Sequence, residues 1–336
     1  MAETKLDAVP SLQPFVAHLK RLGYSNTDQL VGAADVAGEQ LAEYLHVDKA
    51  TLDSMLVQIP RSPKPKGVTV GPPKPRSLGV RLDRIPRPMR ALGMAPPPPH
   101  PLPAKVSLLA EMAPVRDQGH RGTCVAHAST AAAEHYWRSK GKTVDLSRQF
   151  LYWDCKQHDG IPNEEGTWIG VAMPRLQADG CCLEATWHYV MDPIAGNEAQ
   201  GPPPAGAATE AATYKIPTFQ QIPPNSLLDI KSELAQGKCV AFSIPVFNSW
   251  YYNDEVTRTG EIVNPIPNEL EHGGHAMCFV GYEDLPAETG LGGGRFYLRN
   301  SWDSNWATES VLGTTGCGTI PYSYIARFAS EAYSIG

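Results

Sequence analysis

The residues most able to do chemistry lie in one stretch, Pro114-Val-Arg-Asp-Gln118-Gly-His-Arg-Gly-Thr-Cys124, which runs on into the Ala-rich segment Val-Ala-His-Ala-Ser-Thr-Ala-Ala-Ala-Glu. A glycine-bearing loop here meets a helical pattern with a cysteine at the junction. The free N–H groups and dipole of a helix start favour a thiolate, so Cys124 is a candidate nucleophile near neutral pH. Taken alone, such a cysteine is more often a small buried apolar residue. The case is made downstream. His275 leads an apolar run, Ala-Met-Cys-Phe-Val-Gly-Tyr282, and Asn300 follows the strand-like Arg295-Phe-Tyr-Leu-Arg and precedes Ser-Trp302. A base and an amide that could orient it therefore lie 151 and 176 residues after the cysteine.

Positioning these groups requires a helix at Cys124 and two buried strands, one at His275 and one ending at Asn300. The chain has 336 residues, 42% of them hydrophobic and 19% charged, enough for a catalytic domain with an appendage. No apolar run approaches the roughly 20 residues needed to cross a bilayer, so no membrane partner is expected. The acidic start, MAETKLDAVPSLQPF, lacks the basic region and apolar stretch of a secretory signal, and a cytoplasmic location is the expectation. Seven cysteines without a CxxC pair suggest neither zinc nor a redox centre, and mainly reduced thiols are expected. No phosphate loop or metal motif is evident; no cofactor is expected.

The charge divides the chain into three. Residues 1–59 carry a net −4, residues 60–105 a net +9 with fourteen of the 31 prolines, and residues 106–336 a net −11. The first region reads as a small helical module of four short helices, with Thr27 and Asp48 as candidate N-caps and Gly23 as a candidate positive-φ residue. Its LGYSNTDQLVGAAD faintly resembles helix-hairpin-helix modules, but its negative charge argues against phosphate contacts, so no nucleic-acid partner is expected. The second region is an extended, proline-rich arm, able to reach more than about 100 Å as polyproline II. A solvated spacer would explain most of it. Leu78, Val80, Leu82, Ile85, Met89, Leu92 and Met94 give its middle apolar anchors that a spacer does not need.

From about residue 106 to 328 the chain resembles the papain-like cysteine peptidases. The resemblance rests on QGxxGxC at Gln118 to Cys124, LSRQFLYWDC at 146–155, His275 leading to Val280-Gly-Tyr282, and Asn300-Ser-Trp302 with Trp306. It implies an α+β fold of two lobes, one helical and one antiparallel and β-rich, preceded here by a small all-α module. It implies Cys124 as nucleophile, His275 as base and then acid, Asn300 as the group orienting the imidazole, and Gln118 as oxyanion donor. It further implies that Trp302 shields the Asn300–His275 bond, that Gly166 pairs with substrate backbone, and that Tyr322 lines a substrate pocket. His275 is preferred to His272 because it directly precedes the apolar run, and His127 and His135 are read as packed or surface residues.

Some positions depart from the family pattern. Arg121 stands where many members have a disulfide cysteine, and Asp303 and Ala307 where many have glycine. Cys155 and Cys317 occupy disulfide positions without the usual partners, although Cys181 or Cys182 could pair with Cys155. The expected function is hydrolysis of peptide bonds in a peptide or protein substrate. Because such enzymes are usually made with an N-terminal segment through the cleft, latency is expected, with residues 78–94 as the inhibitory segment and the module as prodomain or partner-binding domain. A non-catalytic peptide-binding protein and a thiol acyltransferase or amidase are the alternatives.

Overall fold

A computed structural model of the chain describes residues 4–59, 76–82 and 101–336. The module is built on helices α1 (Val16–Arg21), α2 (Thr27–Leu45) and α3 (Lys49–Val57). The two middle helices expected from the sequence form the single α2, interrupted by Ala37 at φ −143°. Its cap is Asn26, one residue ahead of the expected Thr27, with its side chain accepting the Gln29 N–H at 2.9 Å. Asp48 caps α3 as expected, through the Thr51 N–H. Gly23 takes φ +86° after α1, turning the chain towards α2.

The remainder contains β1 (Lys105–Ser107), α4 (Cys124–Ser139), α5 (Arg148–His158), α6 (Ile169–Ala178), α7 (Ala207–Ala211), β2 (Phe219–Gln221), α8 (Leu227–Ala235) and β3 (Val240–Phe247). After these come α9 (Asn248–Tyr251), α10 (Asp254–Thr259), β4 (Glu271–Asp284), β5 (Gly294–Arg299), β6 (Cys317–Pro321), α11 (Tyr322–Phe328) and β7 (Glu331–Ile335). The strands form one antiparallel sheet in the order β2-β7-β3-β4-β5-β6, with β1 added to β4. Helices α4, α5 and α6 pack together as the second lobe. This is the α+β, two-lobed arrangement that the sequence implied, with the helical module ahead of it.

Strand β3, Val240-Ala-Phe-Ser-Ile-Pro-Val, is buried throughout because α4 packs over the sheet and strands flank it on both sides. Apolar residues of both lobes, from Val125 and Phe150 to Ile244 and Phe279, belong to one core. A second core lies inside the module, where Leu6, Leu12, Leu19, Tyr24, Leu30, Leu41 and Leu52 are fully buried, and it includes Val263 and Ile266 of the body. The module is thus packed against the β-rich lobe through apolar side chains. Its α2 meets α9 and α10, and the Asn264 N–H donates to Leu22 O at 2.9 Å.

Candidate active site

Cys124 is the first residue of α4 and fully buried. The loop before it is drawn tight from inside. The Gln118 side chain donates from Nε2 to Arg121 O at 2.9 Å and accepts the Ser301 hydroxyl at Oε1 at 2.6 Å, while its backbone N–H donates to Ser301 O. The residue after Asn300 therefore holds the predicted oxyanion donor. Tyr189 closes the loop from outside: its hydroxyl donates to Gln118 O at 2.8 Å and pairs with Thr123 Oγ1 at 2.6 Å.

The sheet supplies the rest. Strand β4 begins four residues before His275, so the histidine is inside the strand, opposite Ile244. Asn300 is the residue after β5. Because β4 and β5 are antiparallel neighbours, these positions meet, and His275 Nε2 lies 2.8 Å from Asn300 Oδ1. Trp302 stacks on the His275 ring at 4.7 Å and 28°, and Trp250 lies 5.8 Å from Trp302. Two indoles thus lie against the His275 ring, Trp302 at the position the resemblance implied and Trp250 at 6.0 Å.

The cleft is filled by the chain itself. Residues 76–82 run through it as a strap. The Gln118 amide, besides holding its own loop, donates to Ser77 O at 2.9 Å. The Cys124 sulfur faces the N–H groups of Gly79, Val125 and Ala276. The Val80 N–H donates to Gly274 O at 3.0 Å and the Thr167 N–H to Gly79 O at 2.9 Å, pairing the strap antiparallel to β4 and parallel to the Thr167 segment. Further along, the Trp168 indole donates to Arg81 O at 2.7 Å and Arg81 pairs with Glu164 at 2.6 Å. Gly79 is required here because a Cβ on it would overlap the Gly122 carbonyl. Residues 83–94 of the expected inhibitory segment lie outside the described residues.

Burial beneath the strap alters the expected electrostatics. The Cys124 thiol is pushed up to about 12, mainly by desolvation, and His275 is brought down to about 4 by the same cause, opposed by its bond to Asn300. In place of the thiolate favoured by the helix start, the closed chain holds a neutral thiol and a neutral imidazole. His275 Nδ1 has no partner among the described residues.

Gly166 borders the strap at φ +87°, where a Cβ would overlap Gly79 O, but the strap's backbone pairs with the neighbouring Thr167 rather than with Gly166. Its N–H donates to the Tyr152 hydroxyl at 3.0 Å and its carbonyl accepts the buried Lys156 ammonium at 2.9 Å. Tyr322 is a correction. Its hydroxyl donates to Asp284 at the far end of β4, about 30 Å along the strand from His275, and its ring packs on Phe296. The apolar pattern around Tyr322 belongs to the end of β6 and the start of α11, which leave the sheet away from the cleft. His272 stacks on Tyr251 at 5.0 Å, outside the Cys124–Asn300 cluster. His127 is buried at the Thr123 carbonyl and brought down to about 3, and His135 pairs with Glu111. All seven cysteines are free and buried, leaving Cys155 unpaired with Cys181 or Cys182. Sequence reasoning missed Tyr189, Lys156 and the strap's Arg76 and Gly79. The only signal for the last was a glycine between apolar Leu78 and Val80.

A family model described as papain family cysteine protease matches residues 103–313. The chain belongs to the papain family. Among curated relatives, it is 30% identical over 232 residues to an uncharacterized peptidase C1-like protein of Acanthamoeba polyphaga mimivirus, covering 65% of this chain and 68% of that one. It is 27% identical to Peptidase 1 of Dermatophagoides pteronyssinus, covering 61% of this chain and 58% of the mite protein. Among solved structures, xylellain, a cysteine protease from Xylella fastidiosa, superposes with a TM-score of 0.67 at 27% identity, covering 78% of this chain and 96% of xylellain. Digestive procathepsin L 3 of Tenebrio molitor larval midgut shares the fold at a TM-score of 0.56 and 19% identity, over 95% of this chain and 98% of that one. The papain-family assignment makes the chain a cysteine peptidase acting on peptide or protein substrates.

Proposed function

We propose that this papain-family peptidase is latent in the form described, with residues 76–82 as the inhibitory strap and Cys124, His275, Asn300 and Gln118 as the catalytic set. The observation that carries the reading is the Ser77 carbonyl on the Gln118 amide, with Gly79 at the Cys124 sulfur. A substrate carbonyl needs the place Ser77 holds. With the strap gone, water reaches the pair, the desolvation that keeps both groups neutral is relieved, and the proton can pass from Cys124 to His275. The thiolate then adds to the substrate carbonyl. Gln118 and the Cys124 N–H stabilise the oxyanion, His275 protonates the leaving amine, and water activated by His275 releases the acyl group. Asn300 keeps the ring turned towards the sulfur throughout, with Trp302 excluding water from their bond.

The test keeps the chain whole. Gly79→Val places a side chain against Gly122 O and should unseat the strap, raising hydrolysis of a fluorogenic peptide mixture well above that of the parent chain, with Cys124→Ala as blank. Equal rates in parent and Gly79→Val, both above the blank, would remove the latency reading. Rates at the blank in both, with Cys124 readily alkylated, would favour the non-catalytic peptide-binding alternative.

A further inference from the structure

Arg76 enters the cleft beside the catalytic histidine, and its surroundings are more specific than a strap requires. Its guanidinium lies over the Trp302 ring at 5.5 Å and donates from Nη1 to Trp302 O at 2.5 Å. The Tyr251 hydroxyl donates to its backbone carbonyl. Two carboxylates act on the guanidinium through their charge. Asp303 follows Trp302 in sequence, and Asp117 is bridged to Trp302 from the opposite segment. Both favour the charged guanidinium, against the desolvation that pulls its pKa down.

Asp303 is held by its own turn. It sits at φ +64°, in the left-handed region that favours glycine, with its carboxylate accepting the Ser304 N–H at 2.6 Å and the Asn305 amide at 2.5 Å. Asp117 is fixed by the Gly119 N–H at 2.9 Å. An aromatic face, a carbonyl acceptor and two positioned carboxylates make a recognition set for a planar cation.

We propose that Trp302, Asp117 and Asp303 form a subsite for an arginine or lysine side chain of the peptide substrate, and that Arg76 occupies it in the closed chain. The inference rests on the peptidase reading above. Trp302 stacks on His275, so the bound cation lies one ring from the reacting centre. The subsite serves residues close to the scissile bond, on the side opposite the Thr167 and Gly274 pairing. The net −11 of residues 106–336 also favours the approach of cationic peptides to this domain.

The test digests a mixture of peptides with the full chain carrying Gly79→Val, with and without Asp117→Asn and Asp303→Asn together, and reads cleavage sites by mass spectrometry. Arginine and lysine should be enriched on the order of tenfold at one position within two residues of the cut, on one side only. In the Asn variants the ratio of basic to neutral residues there should fall to about one. Absence of enrichment, or enrichment that survives both substitutions, overturns the subsite. So does a result in which the Asn variants speed alkylation of Cys124 in the otherwise unmodified chain, showing a looser strap, yet leave cleavage preference unchanged. If Gly79→Val cleaves nothing above the Cys124→Ala blank, the peptidase reading fails separately. The subsite then stands only if N-acetyl-arginine amide slows Cys124 alkylation in Gly79→Val and not in the Asn variants; no slowing in either overturns it.

Discussion

Cys124 and His275 are both neutral under the strap, and this has a direct consequence for thiol chemistry. With the thiol at about 12 and the imidazole at about 4, the full chain should be alkylated by iodoacetamide slowly at about pH 7, and faster only as the solution becomes alkaline. Gly79→Val should react rapidly at about pH 7, because a resolvated His275 can take the proton. Mass spectrometry of the Cys124 peptide reads this without interference from hydrolysis. A rate profile in Gly79→Val as alkaline as the parent's would show that burial by the strap is not the cause. In the same background, Gln118→Ala removes the side-chain oxyanion donor and should lower kcat on the order of 100- to 1000-fold. Asn300→Ala frees the imidazole to turn and should lower kcat by roughly tenfold or more, with KM little changed, in steady-state assays.

The elements explain why those residues meet. Helix α4 delivers Cys124, and the antiparallel pairing of β4 and β5 brings together His275 and Asn300, 25 positions apart. The loop ahead of α4 is the less obvious part. Arg121 is buried with its guanidinium between Tyr152 and Tyr189, at 5.3 and 5.1 Å, and donates to Gln149 at 2.7 Å and Val190 O at 2.9 Å. A position where many family members carry a disulfide cysteine thus ties the loop down by stacking and hydrogen bonds. Arg121→Ala leaves those acceptors unpaired and a void between the rings. It should cost about 2–4 kcal/mol in denaturant unfolding and lower kcat through a loosened Gln118. Loss of stability with an unchanged kcat would confine Arg121 to a packing role. The sequence pointed to this loop through QGxxGxC, but Tyr189 lies 65 residues further on with no pattern linking it to Cys124.

At the scale of the molecule, the module and the body share apolar packing at Val263 and Ile266, so they should unfold together. All seven tryptophans lie after residue 105, which makes tryptophan fluorescence a report on the body alone. Leu30→Ala, deep in the module, should lower stability by about 2–5 kcal/mol and shift the fluorescence midpoint along with the far-UV circular dichroism. A fluorescence midpoint that stays in place would make the module an independent unit.

By itself the sequence determined the chemistry and its scaffold: a cysteine at a helix start, a histidine and an asparagine on buried strands, and a helical module before a basic arm. These are legible because nucleophile, base and hydrophobic periodicity are local patterns. The module's Thr27 cap and its division into four helices were off by small margins, since a cap depends on one side-chain bond and a kink at Ala37 does not end a helix. Tyr322 was misplaced because nearness in sequence to a site motif says nothing about which end of a strand a residue occupies. Only the tertiary structure decided that residues 76–82 lie across Cys124, that burial there pushes the thiol up and the imidazole down, and that Arg76 rests on the ring and carbonyl of Trp302 within the field of Asp117 and Asp303. Each of these depends on segments distant in sequence being desolvated together, and burial is a property of the packed whole.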